Sequence, residues 1–321
     1  MGPRPSRRHL SFGRMYPTPS GDAPTGRPVD VSVVIVHYET PDLLRGCLEA
    51  LERSTGPIGV EVFVVDNASI AFEPSDAGRA YPGARIMVNE ANLGFARASN
   101  RALREAVGRY VLLLNPDTVV APETLATMVA YLDARPDVGC ATCRLELEDG
   151  SLDLACRRLF PTPIRSLYRI TLLARLFPRS RRFAQYNMTY LDEREETEID
   201  APCGAFMLVR GDVLEQVGLL DERYFMYGED LDWSFRIKEA GWRIMYAPVT
   251  TVQHRKRASS RRFRQKTIRY FHDGMRRFYQ THYAPVYPRW VTVGILLAIG
   301  ARERIELLAD RLVGLARARA R

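Results

Sequence analysis

The sequence has no long hydrophobic run. Its longest uncharged apolar stretch, WVTVGILLAIGA (Trp290–Ala301), is 12 residues, short of the roughly 18 needed to cross a bilayer. As a helix it would reach only ~18 Å. Cysteine is scarce, five in 321 residues. The pair in CATC (Cys140 and Cys143) is followed by no second pair, so a four-ligand zinc site is not expected and the thiols read as buried strand residues. The first 28 residues are rich in Arg, Pro, Gly and Ser and hold no apolar segment. That composition argues against a secretory signal and for a disordered arm, and it makes the cytoplasm the expected location. Two phosphate-binding fingerprints are missing as well. Neither the Walker pattern, G-x-x-x-x-G-K followed by Ser or Thr, nor G-x-G-x-x-G occurs, so neither nucleotide loop is expected.

Charge is plentiful but unevenly placed. From Thr250 onward there are 17 Lys and Arg against 4 Asp and Glu, while the rest holds 29 against 34. A slightly acidic body with a basic tail suits an anionic partner, nucleic acid or a membrane surface.

Strand and helix signals alternate along the body. VSVVIVHY (31–38), VEVFVVDNAS (60–69), ARIMV (84–88) and YVLLL (110–114) read as buried strands. PDLLRGCLEALERS (41–54), FARASNRALREAVG (95–108, closed by its glycine) and PETLATMVAYLDARP (122–136) read as helices. Continuous apolar strands between helices indicate an α/β fold with a mostly parallel sheet covered on both faces. LELEDGSLDLACR reads as a hairpin turning at Asp149-Gly150. The chain beyond about residue 256 reads as basic helices.

Ligands of such sheets bind beyond the carboxyl ends of the strands. His37, Tyr38, Asp66, Asn115 and Asp117 all fall there. An Asn-Pro-Asp turn after a strand can hold a carboxylate against a metal-bound diphosphate, although all three residues also form ordinary turns. In NEANLGFARASN, Asn92, Gly94 and Asn100 surround a helix start whose free N–H groups suit a diphosphate. In FMYGEDLDWSFRIKEAGW, Glu229, Asp230 and Asp232 open a helix that ends at Gly241, with Leu231 and Phe235 on one face and Trp233 and Ile237 on another. The helix dipole alone favours such acids, but a carboxylate there can also take a proton from a hydroxyl. His254 ends an apolar run, where a lone histidine is either structural or a ligand.

VSVVIVHYE, VEVFVVDNAS, NEANLGFARASN, YVLLLNPD, CGAFMLVR, FMYGEDLDWSFRIKEAGW and VQH follow one another in that order. Together they resemble the family 2 inverting glycosyltransferases of the GT-A fold, and within them the bacterial rhamnosyltransferase-like branch. The resemblance covers about residues 30–260 and implies a Rossmann-like sheet with a helical extension: a catalytic domain over 29–255 and a basic amphipathic tail over 256–321. It implies a nucleotide-sugar site at His37, Tyr38, Asp66, Asn92, Gly94, Asn115 and Asp117. It also implies Mg²⁺ or Mn²⁺ on Asp117 and His254, a catalytic pair of Asp230 as base with Glu229, and acceptor contacts at Gly204 and Trp233. Asn67 stands where many relatives carry a second aspartate, and Asn115 where they carry the first acid of an Asp-x-Asp motif.

The donor the resemblance implies is dTDP-L-rhamnose or a UDP-sugar. The acceptor is a lipid-linked saccharide, because RRFRQKTIRYFHDGMRRFYQTHY interleaves Arg with Phe, Tyr and Ile as interfacial segments do. A peripheral position at the inner face of the plasma membrane follows, with no nucleic-acid partner. Two alternatives remain: a sugar-nucleotide nucleotidyltransferase, and a non-catalytic membrane- or RNA-binding protein.

Overall fold

A computed structural model describes residues 29–54, 56–256 and 264–319, with side chains to 313. The expected arm over 1–28 and the basic HRKRASSRR segment beyond Lys256 lie outside the described residues. The elements run β1 (Val31–His37), α1 (Pro41–Glu52), β2 (Val60–Asp66), α2 (Pro74–Ala80), β3 (Arg85–Val88), α3 (Phe95–Leu103), β4 (Tyr110–Leu114), β5 (Thr118–Val119), α4 (Thr124–Asp133) and β6 (Val138–Glu146). They continue with α5 (Pro163–Ile170), α6 (Leu173–Leu176), β7 (Thr197–Glu198), β8 (Phe206–Arg210), α7 (Gly211–Val217), α8 (Glu229–Glu239), β9 (Arg243–His254), α9 (Arg264–Phe278) and α10 (Arg289–Arg319).

Among the described residues, nine strands form one sheet in the order β3-β2-β1-β4-β8-β6-β9-β5, with β7 added on β9. The first four are parallel. β8 then enters antiparallel between β4 and β6. The expected α/β sheet, mostly parallel in its centre and flanked by helices, is present. β1 is buried along its whole length, which is why it reads as an unbroken apolar run.

Several boundaries differ from the sequence reading. β2 stops at Asp66, because Asn67 to Ser69 turn back on that carboxylate. α3 ends at Leu103 rather than at Gly108. Gly108 instead lies against β1, where a Cβ would come within 2.6 Å of the Ser32 nitrogen. The 149–150 turn forms, with Gly150 N donating to Leu147 O, but the hairpin is a single bridge, Glu146 to Leu152. Past it, Asp153 caps a short 3₁₀ turn at Leu154–Cys156.

The two faces of α8 separate as the spacing predicts. Trp233 and Ile237 are fully buried, and Phe235 stacks on the ring of His282 at 4.1 Å. That contact comes from the chain beyond α9, where a wide turn (Tyr279–Tyr283) leads on to α10. His282 Nε2 also lies 2.8 Å from Asp232 Oδ1. A Cβ on Gly274 would fall 2.2 Å from the Tyr227 carbonyl oxygen, so only glycine lets α9 lie this close to the turn that starts α8. The basic helices are therefore a wall of the fold at α8.

Candidate active site

The end of β2 is closely tied. His37 Nε2 accepts from Thr40 N at 3.0 Å, which leaves the proton on Nδ1, 2.9 Å from Asp66 Oδ1. Burial lowers the His37 pKa, against the pull of Asp66, so the ring is neutral. Asp66 Oδ2 accepts from Ser69 N at 3.1 Å. His37 is 0% exposed with both nitrogens engaged, which corrects its expected place against the nucleotide: it orients Asp66. Tyr38, next along, is half-buried at the end of β1.

Asn67 explains its own departure from aspartate. Its amide donates to Asn92 Oδ1 (2.9 Å) and Gly94 O (3.1 Å), and its oxygen accepts from Leu93 N (2.9 Å) and Asn89 Nδ2 (3.1 Å). A carboxylate could supply only the second half of that set. Asn92 Oδ1 also accepts from Gly94 N at 3.0 Å, and Phe95 N donates to Phe225 O at 2.7 Å. The Gly94 and Phe95 amides at the start of α3 are thus taken by the protein itself. Gly94 is required: at φ +80° a Cβ would stand 2.3 Å from the Phe225 oxygen. Asn100 bonds Leu220 O and N and is structural.

Asp117 and His254 meet because β5 pairs antiparallel with β9, in a register that sets Thr118 opposite His254. Arg255 N donates to Asp117 O at 2.8 Å and fastens the turn. His254 Nε2 lies 3.2 Å from Asp117 Oδ1, and that oxygen is buried without an aligned hydrogen bond. His254 Nδ1 is 2.8 Å from Asp153 Oδ2. Burial lowers the His254 pKa, but Asp117 and Asp153 outweigh it and raise it to about 9. Burial opposes the charge on Asp153 too, yet His254 and Lys256 hold its pKa well below the carboxylate range.

A buried carboxylate oxygen whose one neighbour is an imidazole nitrogen at 3.2 Å suits, once that ring is neutral, a hard divalent cation that takes its other ligands from phosphate and water. Among the described residues no group of three side chains could hold a metal alone. Asp153 was not anticipated from the sequence. It stands where metal-binding histidines usually have a carboxylate on the second nitrogen.

Asp230 lies in the first turn of α8. Arg158 Nη2 donates to its Oδ2 at 2.6 Å and to the Pro202 carbonyl, and Leu231 N donates to its Oδ1 at 2.8 Å. Two of the roughly four lone-pair positions of the carboxylate are used, leaving room for another donor. Glu229, buried, has an oxygen with no partner, and burial followed by the Asp230 charge raises its pKa to about 8. Trp233 is corrected: it is 0% exposed and its indole donates to Gly218 O at 2.9 Å, so it cannot touch an acceptor. Arg158, 72 positions from Asp230, is a site residue the sequence reading missed.

One loop joins the two carboxylate groups. Pro202 O meets Arg158, while Ala205 O accepts from Asn115 N at 3.1 Å beside Asp117. Between them burial, then the charge of Asp153, pushes the Cys203 thiol up to about 11. Gly204 in the same loop faces the ring of Phe95, 3.5 Å from where a Cβ would sit.

Comparison with known proteins follows this geometry. Residues 28–271 match the model of the glycosyltransferase like family 2. An N-acetylglucosaminyl-diphospho-decaprenol L-rhamnosyltransferase of Mycobacterium tuberculosis is 31% identical over 72% of this chain and 77% of its own. The rhamnosyltransferase WbbL of Escherichia coli is 28% identical over 55% of this chain and 66% of its own. In fold, a Pyrobaculum calidifontis mannosyltransferase solved with GDP-Man and Mn²⁺ superposes with a TM-score of 0.50 at 22% identity, over 92% of this chain and 81% of that one. Staphylococcus aureus TarS 1–349 with UDP-GlcNAc gives 0.52 at 17% identity, over 84% and 71%. With the alternating sheet, the strand-end acids and the α8 carboxylates in place, the chain belongs to glycosyltransferase family 2 and has the GT-A fold.

Proposed function

We propose that this glycosyltransferase moves L-rhamnose from a nucleotide-sugar, dTDP-rhamnose or a UDP-sugar, to a hydroxyl of a lipid-linked saccharide during cell-envelope polysaccharide synthesis. Transfer occurs with inversion. The rhamnosyltransferase names of the relatives support the sugar, and the decaprenol in one of them supports the lipid. The observation that supports the reading is the 202–205 loop, whose Pro202 carbonyl accepts from Arg158, the partner of Asp230, and whose Ala205 carbonyl accepts from Asn115, two residues before Asp117.

Asp117 and His254 would hold Mg²⁺ or Mn²⁺, which supplies positive charge to a leaving diphosphate. Asp153 orients the His254 ring through Nδ1. Asp66, fixed by His37 and Ser69, forms the nucleoside end of the donor pocket with Tyr38 and Asn115; Asn67 and Asn92 shape its rim. Asp230 takes the proton of the attacking hydroxyl. Arg158 fixes the Asp230 carboxylate, and Gly204 leaves the loop beside it free of side-chain bulk. Contact with an anionic membrane surface accompanies the lipid acceptor. Among the described residues, no helix is long and apolar enough to cross a membrane.

The test is release of nucleoside diphosphate from a panel of nucleotide-sugars with Mg²⁺ or Mn²⁺ and a membrane lipid extract. Release that needs metal, rises with the extract and is greatest with a rhamnosyl donor is expected. Pyrophosphate exchange would instead indicate a nucleotidyltransferase, and no turnover with lipid or RNA binding intact would indicate a scaffold.

A further inference from the structure

A cavity of about 200 Å³ lies between α5, the start of α8, α9 and α10. Its wall is apolar: Leu167, Ile170, Leu231, Phe271, Phe278 and Ile299 all face it. It reaches Gly228 and Leu231, the residues on either side of Glu229 and Asp230. Tyr186 lines it too. An apolar cavity of roughly 150 Å³ already admits a six-carbon hydrocarbon. The sheet core is packed, so a void kept open beside the catalytic turn asks for an occupant.

The mouth has a distinct chemistry. Ile164, Leu167 and Ile170 on α5, Leu176 on α6, and Leu172 and Phe177 at the two ends of α6 are all exposed. Residues 159–191 contain six arginines and no acid. α10 is apolar on two sides: Ile295, Ala298 and Ile299 line the cavity, while Trp290 (78% exposed) and Leu297 (68%) are bare. Arg169 and Arg302 line the cavity among these residues. Apolar side chains interleaved with cations mark surfaces that enter the headgroup layer.

We propose that this cavity receives the isoprenoid carbons of a polyprenyl-diphosphate acceptor, with Arg169 and Arg302 toward its diphosphate and the α5–α6 and α10 surfaces resting in the lipid. The inference rests on the lipid-linked acceptor proposed above. An unbranched path then runs from bilayer to cavity to Asp230. A soluble sugar acceptor would need none of it, and nothing in ordinary fold stability keeps so many large apolar residues bare around one opening.

Binding of farnesyl diphosphate to the full chain, measured by equilibrium dialysis against inorganic pyrophosphate as the charge-only control, tests this. Farnesyl diphosphate is expected to bind at least tenfold more tightly. Ala298→Trp, which fills the cavity with an indole, should lower that affinity at least tenfold, while sedimentation with phosphatidylglycerol vesicles stays as in the parent. A cooperative melt shows that the variant is folded. Should it not fold, Ile170→Asp at the mouth gives the same decision. Equal affinity for the two diphosphates, or prenyl binding that survives a folded variant, overturns the inference. Failure of the glycosyltransferase reading would look different: no nucleoside diphosphate release from any donor, whatever the prenyl binding.

Discussion

The end of β2 and the start of α8 are built differently. Around β2 the polar groups are all engaged: both nitrogens of His37 and all four hydrogen-bonding positions of Asn67 have partners inside the protein, and each oxygen of Asp66 accepts one hydrogen bond. Around α8 they are not. Glu229 Oε2 and Arg158 Nε are buried without partners, and an apolar cavity opens next to them. A buried polar group left unpaired costs about 1–3 kcal/mol. The proposed donor side is thus tied together by the protein itself, while the proposed acceptor side keeps unpaired polar atoms beside an open cavity. Asp117, whose Oδ1 has the His254 ring at 3.2 Å but no aligned hydrogen bond, is reached from the same 202–205 loop.

This contrast can be broken from either end. The largest effect is expected from Asp117→Ala, which removes the proposed metal carboxylate: transfer should fall about a thousandfold or more, with nucleotide-sugar affinity no longer responding to Mn²⁺. Retained metal dependence would place the cation elsewhere. Next comes Trp233→Ala, a core substitution costing about 3–5 kcal/mol of stability, read in a urea midpoint. Full stability with impaired acceptor affinity would restore Trp233 to the acceptor site. Asp153→Asn keeps the shape but weakens the hold on His254, so metal affinity should drop about 10- to 100-fold. The smallest effect is a pH dependence. The Glu229 pKa stands above its unfolded value, so its neutral form is favoured in the fold and stability is lost as pH rises from about 4.5 toward 8. Glu229→Gln should flatten that slope, giving a Tm advantage at pH 8 that is absent at pH 4. An unchanged slope would assign the pH dependence to other groups.

Much of the strand-end region was legible because it is local. β4 ends at Leu114 as its apolar run does, and Asp66 and Asp117 fall at strand ends that a parallel sheet must point one way. The surroundings of α8 and of His254 were less legible. Arg158 and Asp153 look like ordinary members of an arginine pair and a hairpin; they matter only because the chain brings them to residues 72 and 101 positions away. Trp233 misled for the opposite reason. It shares a turn with the acids, but the period that set it opposite Leu231 also sent it into the core. Asn67 looked like a departure until its two donated hydrogen bonds gave the amide a purpose.

The account turns on Asp230 meeting the acceptor while Asp117 and His254 face the donor. Comparing Asp230→Asn with the parent for nucleotide-sugar affinity and for transfer rate tests that division most directly. Affinity should be unchanged and transfer should fall about 10²- to 10⁴-fold, the range for loss of a general base. Loss of affinity together with transfer, or transfer at the parental rate, would contradict it.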